Sequence, residues 1–125
     1  MDLFAAIEEF HVRFNLQRSE RPAMLTPDMA AFRCRFMTEE LTEYYDACAI
    51  GDRAQALDAL VDLVYVALGT AYLHGFDFNE AFKRVHAANL KKIRVDHAGE
   101  SKRGSVYDVR KPVGWRAPDL SDLVE

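Results

Sequence analysis

Apolar positions along this chain recur at helical spacing and almost never alternate, which predicts an all-α fold. Leu3, Phe4, Ile7, Phe10 and Phe14 mark a first amphipathic helix over residues 2–14. A polar stretch from Asn15 to Arg21 follows it. Thr26 then caps a second helix with Pro27 at its first position, where a missing N–H costs nothing. That helix runs to about Ile50 and stops at Gly51. Asp52 caps a third, which runs to about His74 and stops at Gly75. Asp77 opens a fourth, Glu80 completes its capping box, and it continues to about Val95. The connections among the second, third and fourth helices are very short, so these helices should pack antiparallel. From His97 onward the chain has glycines, prolines and scattered charges, with at most a short hairpin around Gly104 to Lys111. The expectation is one domain over 1–125, with an antiparallel four-helix core over about 2–95 and an irregular tail over about 96–125.

The third helix is apolar on more than one side. Leu57, Leu60, Val61, Leu63, Val64, Val66, Ala67, Leu68 and Ala71 exceed what a single buried stripe requires, which predicts a homo-oligomer. No apolar run is expected to serve as a membrane span of roughly 20 residues. The N-terminus lacks the layout of a signal peptide. A cytoplasmic protein is expected, with no membrane partner. The net charge of −4 argues against nucleic acid as a partner. Cys34 and Cys48 fall on one helix about 21 Å apart, too far to bond, and read as free core thiols.

Acids interrupt this apolar pattern where two helices could meet. Glu39, Glu40 and Glu43 share one face of the second helix, at spacings of three and four residues. Asp58 and Asp62 sit four apart on the third helix, and Asp62 breaks the series Leu60, Val61, Leu63, Val64. An acid in a buried stripe is costly unless it is paired or holds a metal. Clustered carboxylates raise each other's pKa until a cation neutralises them, and hard oxygen donors suit Mg²⁺. The competing reading is that Glu-Glu-x-x-Glu is an ordinary solvated face. On the fourth helix Asn89 and Lys92 share a face, with His86 one turn earlier. An amide and a lysine beside a metal would suit phosphate oxygens, while His86 reads equally as structural.

In this order the motifs resemble the all-α nucleoside triphosphate pyrophosphohydrolases: MazG-type enzymes, dimeric dUTPases and phosphoribosyl-ATP pyrophosphohydrolases. Glu40-Leu41-Thr42-Glu43 matches that family's Glu-x-x-Glu, and Asp62 matches the final Asp of its later Glu-x-x-Asp. Ala59 stands where the family usually has Glu, and Asp58 is the neighbouring acid that could reach the same metal. Phe10-His11 with Phe14, Phe32-Arg33 and the tail Lys111-Pro112-Val113-Gly114-Trp115 with Pro118 are similar to a subset of short bacterial or phage-borne members, including the MazZ type.

The resemblance implies cleavage between the α and β phosphates, giving a nucleoside monophosphate and pyrophosphate. It implies two or three Mg²⁺ ions per site, with Mn²⁺ as substitute. Glu40, Glu43 and Asp62 would be ligands, with Asp58 next. Glu39 would hold a further ion or orient the attacking water. Lys92 and Asn89 would bind phosphate or ribose, and Lys102 and Arg103 would close over the phosphates, against the plainer reading that these two belong to a solvated loop. Phe10, His11, Phe14 and Trp115 are candidates to stack on a base, against the plainer reading that they are core. The substrate leans toward a purine deoxynucleotide such as dGTP. Phosphoribosyl-ATP hydrolysis and a non-catalytic helical dimer remain as alternatives. A di-iron bundle is disfavoured because Glu-x-x-His occurs once, at Glu8–His11, where that site needs one on each of two helices.

Overall fold

The computed structural model describes residues 1–125. Four helices carry the chain: α1 (Leu3–Arg13), α2 (Pro27–Ile50), α3 (Arg53–His74) and α4 (Phe78–Asn89). The fold is all-α with a tail, as expected. The start signals at Thr26 and Asp52 act physically as read, and Asp2 adds a cap for α1. The Asp2 carboxylate accepts from the N–H groups of Phe4 and Ala5, Thr26 Oγ1 from Met29, and the Asp52 carboxylate from Gln55. Gly51 and Gly75 end α2 and α3 at φ of 71° and 76°, a conformation that strains any residue with a Cβ. A Cβ on Gly75 would also lie 2.7 Å from Ser19 O. That approach exists because the segment joining α1 to α2 crosses the end of α3. Ser19 N–H donates to Leu73 O and Ala23 N–H to His74 O, satisfying two carbonyls the helix end leaves open.

The fourth helix differs from the expectation. It ends at Asn89, not near Val95. The chain turns, and Ile93–Arg94 form β1, antiparallel to β2 (Val109–Arg110) with Ile93 opposite Arg110. The hairpin exists, but its first strand comes from residues the pattern assigned to helix. Val95 N–H extends the pairing to Asp108 O. Cys34 and Cys48 are free as expected but exposed, so they are not core thiols.

The residues form two compact units, Met1–Phe78 with Leu123–Glu125, and Asn79–Asp122. In the first, α3 packs on both α1 and α2. Ile7, Leu68 and Tyr72 make its core, with Phe4, Tyr65, Leu73 and Phe78 around them. Leu57, Leu60, Val61 and Val64 of α3 stay exposed. An 18-residue window of α3 has mean hydropathy 1.6, so by length and composition alone it would suit a membrane crossing, against the expectation that no run would. It packs against α1 and α2, and it carries the acids Asp58 and Asp62. In the second unit, Arg84 bridges Glu80 at 3.0 Å and Asp122 at 2.6 Å. Trp115 Nε1 donates to Ala88 O at 2.8 Å, pinning the tail to α4.

Candidate active site

The buried residues of α2 are Arg33, Glu40 and Ala47, spaced seven apart. Seven residues are almost two turns, so the inner line of this helix is two-thirds ionic. That spacing aims Glu40 inward. It is only 8 % exposed, and its Oε2 has no hydrogen-bond partner. Burial is the first cause that raises its pKa, to about 7. The charge of Glu43 and a hydrogen bond shared with it come next, then Asp62 from α3 and Glu39. The structure therefore brings Glu39, Glu43 and Asp62 within electrostatic reach of Glu40.

Asp58 does not join them. It is exposed and is not among the carboxylates acting on Glu40. A rotation of about 100° per residue separates it from Ala59, which holds the inward place in that turn at 2 % exposure.

No three His, Cys, Asp or Glu side chains are gathered closely enough to ligate an ion. The acids are neighbours and not a closed shell. Glu39 and Glu43 line an open recess of about 500 Å³ with Cys34, Arg35, Thr38 and Thr42. The donor chemistry nonetheless fits a divalent cation. All the donors are hard oxygens, one is buried without a partner, and their mutual repulsion raises Glu40's pKa.

Almost two turns before Glu40, at Arg33, lies a polar junction that sequence reading missed. Arg33 Nε donates to Thr70 Oγ1 at 3.0 Å and Nη2 to Val66 O at 2.9 Å. His11 is 2 % exposed, its Nδ1 lies 2.8 Å from Ile7 O, and its ring packs on Tyr72. Gly69 makes room for both, since a Cβ there would sit 2.8 Å from Arg33 Nη2 and 3.0 Å from His11 Cε1. The available signal was a lone glycine inside an otherwise apolar helix. Phe10, at the same end, packs on Phe14 and Tyr65 while remaining partly exposed.

The remaining expected contacts belong to the second unit. Asn89 is the exposed last residue of α4, and His86 lies against Phe82. Lys102 and Arg103 are exposed, and Arg103 pairs with Asp108 at 3.0 Å. Lys92 and Lys111 stand over the Trp115 ring at 5.2 and 5.0 Å. That ring is engaged by two cations and anchored through its N–H, so it is not presented as a bare face for a base.

The family model described as phosphoribosyl-ATP pyrophosphohydrolase matches residues 7–89. No curated protein matches the chain. The match spans α1 to α4 and every acid of the cluster, so the chain belongs to that family, within the MazG-like all-α superfamily. It is an enzyme of the nucleotide pyrophosphohydrolase type.

Proposed function

We propose that this family member hydrolyses the α–β phosphate bond of a nucleoside triphosphate with Mg²⁺, releasing a nucleoside monophosphate and pyrophosphate. The observation that carries the proposal is Glu40: a buried carboxylate with an unpartnered oxygen, crowded by three other acids. Glu40, Glu43 and Asp62 would hold the metal, two or three ions in all, and Mn²⁺ would substitute. Asp58, exposed and apart, stays outside the proposed set. When bound, the cation supplies charge neutralisation on the phosphate chain. Glu39, at the wall of the open recess, would hold a further ion or orient the attacking water. Phe10 and Phe14 keep enough exposed surface to meet a base.

The substrate read first is a purine deoxynucleotide such as dGTP. The family match favours phosphoribosyl-ATP as the second candidate. The whole chain, 1–125, is taken as one catalytic domain acting in the cytoplasm. It is taken to work as a homodimer or homotetramer, a reading supported by the exposed apolar residues of α3.

Incubating the protein and Mg²⁺ with each canonical NTP and dNTP, and with phosphoribosyl-ATP, tests the reading. Pyrophosphate should be the inorganic product and the preferred compound identifies the substrate. Orthophosphate as first product would refute cleavage at this bond. Turnover equal in Glu40→Gln and wild type would refute the site.

A further inference from the structure

The chain beyond Asn89 lies outside the stretch that the family match covers. Its hairpin and turns enclose a cleft of about 400 Å³, lined by Lys92, Lys102, Arg103, Arg110, Lys111 and Glu100 among its residues. Five cations around one small cleft are a sharp local departure in a chain of net charge −4. Two of them are matched. Arg110 Nε lies 2.8 Å from Glu100, and Arg103 Nη1 lies 3.0 Å from Asp108. No carboxylate lies within ion-pair distance of Lys92, Lys102 or Lys111. Lys92 and Lys111 are held instead over the Trp115 ring, which Ala88 O fixes through the indole N–H. The indole acts as a post that keeps two ammonium groups beside the cleft. Cations held together in this way are stabilised by an entering anion, and lysine ammonium groups suit phosphate oxygens.

We propose that this cleft is a binding site for a di- or triphosphate chain and needs no metal to bind it. Its size admits one small polyanion and no nucleic-acid duplex. The site uses no carboxylate of α2 or α3, and it rests on the proposed activity only for naming a nucleotide as one source of the chain.

The test is calorimetric titration of the full chain in EDTA with pyrophosphate, tripolyphosphate, orthophosphate and dGTP. Saturable binding of pyrophosphate and tripolyphosphate, clearly tighter than orthophosphate, is expected. Lys92→Met and Lys111→Met keep the stems over Trp115 and remove the charges. Each should weaken binding about tenfold, the worth of one charge-assisted contact. Glu40→Gln should bind as wild type does, which separates this site from the metal reading. Lys83→Met with Lys91→Met, removing equal charge from exposed positions of the same unit, should change binding little. Competition between dGTP and bound pyrophosphate would identify the nucleotide as the source. Its absence, with pyrophosphate binding intact, would identify free pyrophosphate. The proposal is overturned if nothing binds in EDTA, if orthophosphate binds equally well, or if the Lys83 and Lys91 changes cost as much as those at Lys92 and Lys111.

Discussion

Glu40 is the residue on which most of the chemistry turns, and its proton reports on it. In the unfolded chain its carboxyl titrates near 4.5, while in the fold it titrates near 7. Below the lower value both states hold the proton and the residue is neutral toward stability. As pH rises between the two values, only the unfolded chain releases it, so stability falls; above 7 the loss is complete. In EDTA, melting temperature should therefore drop between pH 5.5 and pH 8, and Glu40→Gln should flatten that part of the slope. Mg²⁺ should raise the melting temperature more at pH 8 than at pH 5.5, because only the ionised cluster attracts it. Parallel slopes for wild type and Glu40→Gln, by thermal denaturation in EDTA, would mean that burial and crowding do not act on this carboxyl. Activity separates the two aspartates of α3. Asp62→Asn should lower kcat/KM by more than about a hundredfold, since even outer-shell partners of metal ligands are worth about 10–100-fold. Asp58→Asn should stay within about twofold of wild type, as expected for an exposed residue that leaves Glu40 untouched. Equal losses in steady-state assays would return Asp58 to the site.

At the scale of elements, the three-helix junction gives a case where two known effects oppose each other. Gly69→Ala should gain about 1 kcal/mol of helix propensity. Its Cβ would displace Arg33 Nη2, a buried charge-assisted bond to Val66 O worth about 1.5–3 kcal/mol. The second effect is larger, so the variant should melt lower than wild type by chemical denaturation; a rise would show that Arg33 shifts freely. The lone glycine in α3 was the one sign of this junction in the sequence, because His11, Arg33 and Gly69 acquire their joint meaning only when α1, α2 and α3 meet. The helix bounds were legible, since Thr26-Pro27, Gly51-Asp52 and Gly75 each solve a local problem of unpaired backbone groups. The end of α4 was not. Residues 93 and 94 leave helix for a pairing with residues 109 and 110, a partner some fifteen positions away, and a two-residue strand has no alternation to read. The acid cluster was legible for the same reason as the caps. Glu40 and Glu43 are set by spacing within one helix, and Asp62 by its intrusion into an apolar series. Asp58 failed to follow because a one-residue offset on a helix is a large rotation.

The molecule as a whole leaves apolar surface unspent. Leu3, Leu60, Val61 and Val64 are exposed, and with Met1, Ala6, Ile7, Tyr65 and Leu68 they line a groove of about 430 Å³ between α1 and α3. A groove of this kind on a small chain is uncommon unless something covers it, and the proposed homo-oligomer would do so. A closed symmetric pair presents the same patch twice, so one substitution strikes the interface on both sides. Leu60→Glu and Val61→Glu should each convert the assembly to monomers, measured by light scattering during size-exclusion chromatography. Leu60 and Val61 are exposed in the single chain, so the monomers should keep their far-ultraviolet helical signal. If the second copy completes the site, specific activity of wild type should fall on dilution, while the glutamate variants should be inactive at every concentration. Wild-type chains that elute as monomers at micromolar concentration, with activity independent of dilution, would assign the groove to some other occupant and leave each chain to work alone.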